Sequence, residues 1–152
     1  SRLVKAFMYR ELPFATRGGK CFVYVGDVAT AAVNALTMGE PGEAYITGNA
    51  NLPFTEFARI VASVNGVAPP LLVLPPAVVA AYGRTMGWLG RLFGFEPNLS
   101  YATARISSDD QYFSSKKAIL HLQMPQTDIE EAIRMTSAWL RGETAPAPVV
   151  SP

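Results

Sequence analysis

The chain has 152 residues, of which 49% are hydrophobic, 16% charged and 11% aromatic, with 13 basic against 12 acidic side chains and one cysteine. That length suits one domain with a real core, or one half of a larger domain, and so apolar a composition excludes a disordered polymer. A net charge of +1 and a pI near 7.8 give no global field for a polyanion, which speaks against a dedicated nucleic-acid binder.

Cys21 alone cannot form an internal disulfide, and the first thirteen residues spread their charges instead of showing a basic head and an apolar run, so a reducing cytoplasm is the expected compartment. At the amino terminus, Leu3, Val4, Phe7 and Met8 recur at helical spacing, predicting a first helix that ends before Pro13. It starts abruptly, as a cut end would. Arg17-Gly18-Gly19-Lys20 reads as a turn into a strand over 21–25, rich in aromatic and β-branched residues. Asp27 is then the expected N-cap of a helix over 28–38, with Val28, Ala32, Ala35 and Leu36 on its buried side and Gly39 at its end. A turn at Pro41-Gly42 leads to a second strand, 44–47.

A third helix is expected from about Pro53 to Val64, closed by Asn65-Gly66. Residues 60–83 carry no formal charge, but Asn65-Gly66, Pro69-Pro70 and Pro75-Pro76 interrupt them, so they read as a buried strand at 71–74 between two helices and not as a membrane span. The helix after Pro76 places Val78, Val79, Tyr82, Met86, Leu89, Leu92 and Phe93 in one stripe. Gly83, Gly87, Gly90 and Gly94 lie on a side without bulk, where another backbone or a ligand would approach closely. The last helix has Thr127 and Glu130 as a capping box, Ile129, Ala132, Ile133, Trp139 and Leu140 as its buried stripe, and Gly142 as its end. Residues 143–152, rich in Pro, Ala and Val, are expected to be an unstructured tail. Alternating strands and helices with short connections predict an α/β fold, but three strands are too few for a complete sheet, and the missing cover is expected on a segment outside this chain.

Three ordered blocks carry a family resemblance: Phe22-Val23-Tyr24-Val25-Gly26-Asp27-Val28-Ala29; then Pro41-Gly42-Glu43-Ala44-Tyr45-Ile46-Thr47-Gly48 with Asn51-Leu52; then Tyr112-Phe113-Ser114-Ser115-Lys116-Lys117-Ala118 through Trp139-Leu140. Together they resemble the carboxy-terminal half of extended short-chain dehydrogenase/reductases, in the epimerase/dehydratase and dihydroflavonol-reductase-like branch. The resemblance implies a partial Rossmann-type α/β fold in which 1–142 form the carboxy-terminal substrate-binding part and the amino-terminal dinucleotide-binding half is absent. Three positions depart from the family: Ser114 replaces a frequent acidic residue, Pro53 replaces a Ser or Thr cap, and Gln123 replaces a Gly, which strains the backbone if that position needs positive φ.

The chain has neither the family's glycine-rich turn nor its catalytic Ser/Thr with Tyr and Lys on one long helix, so it is expected to hold no catalytic, cofactor-binding or metal residue of its own. Tyr112 and Lys116 have the family's spacing but straddle a strand end and a helix start, and they read as a strand aromatic and a solvated lysine. His121, with no cysteine or acidic cluster beside it in sequence, reads as a surface or core histidine. The resemblance assigns substrate contacts to Lys20, where sugar-nucleotide relatives carry an Arg, and to Arg105. Lys20 offers a point charge without the bidentate fork of Arg. Arg17 belongs to a basic group with Arg2, Lys5, Arg10 and Lys20 that suits an anion or a solvated face, and Tyr24 sits where a strand aromatic would reach the site.

The implied function is that of a substrate-binding half of an NAD(P)-dependent reductase, epimerase or dehydratase, with NAD or NADP held mainly by the absent half. Its expected partners are a small-molecule substrate and that half, with homodimerisation left open, and neither nucleic acid nor membrane. The alternative is a non-catalytic dinucleotide- or metabolite-binding sensor or scaffold of the same fold. A peripheral membrane role for the helix over 78–95 is more remote.

Overall fold

The computed structural model describes residues 2–12, 14–75, 77–78, 81, 84–85, 88 and 109–143. Helix α1 (Arg2–Met8) leads into β1 (Phe14–Thr16) and β2 (Gly19–Phe22), followed by α2 (Val25–Met38), β3 (Ala50–Pro53), α3 (Phe54–Asn65) and β4 (Leu72–Leu74). After the intervening segment come α4 (Lys116–Leu122) and α5 (Ile129–Leu140). β1 pairs parallel with β4, Phe14 opposite Leu72, and β2 pairs antiparallel with β3, Gly19 opposite Pro53 and Phe22 opposite Ala50. The second edge of β2 is also occupied. Cys21 N–H donates to Gln111 O at 3.0 Å and Gln111 N–H donates to Gly19 O at 2.9 Å.

Two apolar clusters hold these elements. In the first, Val4, Phe7 and Met8 of α1 meet Phe57, Ala58 and Val61 of α3 and Ile133 of α5. The i, i+3, i+4 spacing along α3 puts Phe54, Phe57, Ala58, Val61 and Ala62 on one buried face, and Gly66 ends the helix at φ 65°, a left-handed geometry that suits a residue without Cβ. Phe22 ties β2 to this core by stacking on Phe57 with centroids 3.9 Å apart. Burial of one such aromatic side chain contributes about 1.5–3 kcal/mol. In the second cluster, Ala31 of α2 meets Ala118 and Leu122 of α4 and Met124 beyond it, with Tyr45 against them.

The helices expected at the two ends and over 53–64 are present, whereas several local readings are corrected. α2 begins at Val25, so Asp27 is not an N-cap but a buried residue of the first turn, and Tyr24 occupies the cap position without a side-chain bond. Asp27 accepts from Thr127 N–H at 2.9 Å and Thr127 Oγ1 at 2.6 Å. Thr127 is thereby taken away from capping. Asp128 caps α5 instead, its side chain accepting from Glu130 and Glu131 N–H. The inner face of α2 carries Asp27 and Ala31, and Leu36, expected to be buried, is 85% exposed.

Segment 44–47, expected as a strand, is unpaired; the strand forms at Ala50–Pro53, where β2 offers a ladder. The strand expected to be buried at 71–74 forms as β4, yet Leu72 is 60% exposed because its only neighbour among the described residues is β1. Trp139 is exposed as well. The stripe expected over 78–95 and its four glycines lie for the most part outside the described residues, as does the tail beyond Glu143. No helix among the described residues is long and apolar enough to cross a membrane.

At Gln123 the sequence expectation is met: φ is 47° and ψ 41° where α4 ends, and its N–H donates to Ala118 O. A side chain with Cβ in this region costs about 1–2 kcal/mol. Gln123→Gly is therefore expected to stabilise the chain by about 1 kcal/mol in urea denaturation at an unchanged m value, despite the added freedom of the unfolded chain.

Candidate functional site

Several elements converge on an open cavity of about 530 Å³: Leu3 and Val4 from α1, Phe22 to Val25 from the β2–α2 junction, Phe57 from α3, and Met135, Thr136 and Trp139 from α5. The lining is mainly aliphatic and aromatic. Tyr24 stands at its rim because extended backbone, φ −75° and ψ 136°, carries the chain from β2 into α2 there. The ring of Tyr24 also lies against Gly26, where an added Cβ would come within 2.4 Å of Cε1, so a bare backbone at Gly26 is what allows the ring to sit there.

The four residues expected to contact substrate are not gathered together. Tyr24 alone lines the apolar cavity. Lys20 lies in β2, whose backbone is bonded on both flanks, and its side chain is half-buried. Arg17 is exposed at the bend between β1 and β2, and Arg2, Lys5 and Arg10 are exposed on and after α1. Arg105 lies outside the described residues.

A second, polar groove of about 350 Å³ lies beside β3, lined by Asn51, Tyr112, Ser114 and Lys116 among others. Asn51 builds its floor in a way that the sequence did not signal. Its Nδ2 donates to Phe113 O at 3.0 Å and its Oδ1 accepts Phe113 N–H at 3.2 Å, so one side chain replaces a ladder pair and pins the closing segment to β3. Tyr112 is held by the same arrangement, and its hydroxyl covers Gly19 where a Cβ would otherwise lie.

Tyr112 and Lys116 do not act as a pair on one helix. Tyr112 belongs to the extended segment and Lys116 is the first residue of α4. Partial burial, and then the neighbouring carboxyl of Asp110, push the Tyr112 phenol above its ordinary pKa. A tyrosine that exchanges a proton with substrate near neutral pH needs the opposite shift.

On the other side of α4, Lys117 pairs with Glu43, donates to Ala44 O at 3.2 Å and stands 4.6 Å over the Tyr45 ring. The hydrogen bond and charge of Lys117 hold the Glu43 carboxyl below the usual range, and the same bond raises Lys117. His121 faces Glu40, Nδ1 to Oε1 at 3.7 Å, and packs edge-on to Tyr45 at 5.9 Å. These contacts fasten loop 40–45 to α4. No group of three or more metal-ligating side chains is found among the described residues.

Among the described residues, the glycines have other structural roles. Gly19 and Gly26 lie under tyrosine rings, and Gly39, Gly42, Gly66 and Gly142 end helices or make turns. None forms a glycine-rich turn aimed at a pyrophosphate. Spectrophotometric titration should find a tyrosine component above the ordinary phenol range that disappears in Tyr112→Phe. A Tyr112 titrating below the ordinary range would restore it as a proton-exchanging group.

No protein-family model matches the chain. A Synechocystis protein named for dihydroflavonol 4-reductase is 23% identical over 147 residues, which cover 91% of this chain and 42% of that protein. The decarboxylating sterol-4-alpha-carboxylate 3-dehydrogenase erg26 of Schizosaccharomyces pombe is 30% identical over 131 residues, 80% of this chain and 38% of that one. Among solved structures, gox2253 superposes with a TM-score of 0.71 at 30% identity, over 93% of this chain and 43% of its own. PA4631, a nucleoside-diphosphate-sugar epimerase from Pseudomonas aeruginosa, shares the fold with a TM-score of 0.70 at 20% identity, over 93% and 41%. The chain thus spans between 38% and 43% of the length of each of these proteins. Sequence and fold are consistent over most of its residues with the carboxy-terminal half of an extended short-chain dehydrogenase/reductase.

Proposed function

We propose that the chain is the substrate-binding part of an NAD(P)-dependent oxidoreductase or epimerase that acts by hydride transfer on a small carbonyl, hydroxyl or sugar-type substrate. The observation that carries this reading is the similarity of most of the chain to a protein named for dihydroflavonol 4-reductase and to a sterol-4-alpha-carboxylate 3-dehydrogenase, of which only 42% and 38% are spanned. When bound, mainly by residues outside this chain, NAD or NADP would supply the hydride.

The chain's own residues bind and orient. Tyr24 contributes an aromatic wall with a polar tip to the cavity that α1 and α5 complete. Lys20, on a strand bonded along both flanks, presents a positive charge from a rigid base. Arg17, three residues earlier, and Arg105 supply further positive charge for an anionic substituent of the substrate. Apolar side chains remote from the cavity, such as Leu36 and Leu71, are 85% and 89% exposed and offer surface to the rest of the protein.

Calorimetric titration of NADH and NADPH into the 152-residue chain and into the full-length product of the same reading frame tests this. Saturable binding and turnover are expected only in the long form. Micromolar NADPH binding by the 152-residue chain would overturn the placement of the cofactor, and cofactor binding by the long form without turnover on any carbonyl or alcohol would make the protein a sensor.

A further inference from the structure

We propose that the polar groove beside β3 is a binding site for a sugar acid, a polyhydroxylated ligand with one carboxylate, separate from the apolar cavity that Tyr24 lines. Its described walls belong to this chain, and its assignment is independent of the proposed hydride-transfer function.

The groove lies between two walls. One is the entry to α4, where Ser114, Ser115 and Lys116 follow one another. The other carries Asn49 and Gln126, whose amides are fixed from behind. Asn49 Nδ2 donates to Thr127 O at 2.6 Å, and Gln126 Nε2 donates to Gly48 O at 3.3 Å and to Pro125 O at 2.8 Å. Gly48 lets the walls approach. A Cβ there would meet Cys21 Sγ at 2.5 Å and lie 3.9 Å from Ser115 Cβ, so a bare backbone is what fits.

Both amides use their donors inside the fold and keep their acceptors. Among the described residues, Asn49 Oδ1 and Gln126 Oε1 have no hydrogen-bond partner. On the opposite wall, the hydroxyls of Ser114 and Ser115 and the ammonium of Lys116 are without partners among the described residues as well. Ser115 is 8% exposed, yet no fully buried polar side-chain atom among the described residues lacks a partner, so its hydroxyl opens onto the groove. An unpartnered hydroxyl in so buried a residue is unfavourable, and a ligand oxygen relieves it.

These groups select the ligand. Free amide oxygens accept from hydroxyls, while serine hydroxyls both donate and accept, so a ligand with several hydroxyls satisfies both walls at once. Lys116 is the one charged side chain among the described lining residues. One positive charge matches a carboxylate and is too little for a phosphate monoester, which carries about −1.5 to −2 near pH 7. Ile119 and Phe113, the latter 51% exposed, add apolar surface for the C–H face of a ring. At about 350 Å³ the groove is at the small end of ligand sites and suits one monosaccharide unit, not a nucleotide sugar.

Saturation-transfer NMR with glucuronate as the probe, on the full-length product of the same reading frame and on its Lys116→Gln and Ser115→Ala variants, tests the assignment. Saturable binding is expected, weaker by about tenfold in Lys116→Gln and about threefold in Ser115→Ala through the loss of one charge-assisted and one neutral hydrogen bond. Melting temperatures are expected to stay unchanged, because neither side chain has a partner among the described residues to lose. Lys116→Arg is expected to keep the affinity, since it keeps the charge. Absence of saturable glucuronate binding would overturn the proposal. Equal binding of glucose and glucuronate by the unmodified protein would overturn it too, as would a glucuronate affinity unchanged in both weakening variants.

Discussion

One buried side chain joins the two ends of this fold. Asp27, 3% exposed in the first turn of α2, takes both the N–H and the hydroxyl of Thr127, a hundred residues later. A buried carboxyl without partners would be strongly unfavourable, so this geometry is maintained only while α2 and the entry to α5 stay in register. The cavity walls follow from it. Tyr24 and Val25 lie three and two residues before Asp27, and Met135, Thr136 and Trp139 lie along the helix that Thr127 introduces. Asn49 adds a bond to Thr127 O at 2.6 Å, which draws the loop before β3 into the same junction.

Local patterns were legible where one contact face decides them. The apolar spacing of α1 and α3, the glycine at the end of α3 and the strained Gln123 all follow from short-range sequence, and the structure has each of them, whereas the α5 stripe is buried at Ala132 and Ile133 but not at Trp139. Asp27 was misread because an Asp before an apolar helix has the same local signature as an N-cap, whereas its actual partner is a hundred residues away. Asn51 left no signal, because a side chain that substitutes for a ladder pair has no characteristic spacing. Segment 44–47 has strand propensity and no strand, since propensity alone does not supply a neighbour.

The candidate site was less legible than the fold. Tyr24 lines the apolar cavity, but from the junction between β2 and α2 and not from within the strand expected over 21–25. Lys20 and Arg17 are close in sequence yet line neither cavity, and the described residues do not place them against Tyr24. Chemical identity therefore comes from ordered similarity over most of the chain and less from a constellation of side chains.

The central structural claim is that the Asp27–Thr127 bond sets the relation between α2 and α5. A double-mutant cycle with Asp27→Ala and Thr127→Val, read as unfolding free energy in urea, measures it directly. The account predicts a coupling of about 1.5 kcal/mol or more between the two substitutions. Additive effects within about 0.3 kcal/mol would contradict it, and would mean that the two apolar clusters position the helices without this bond.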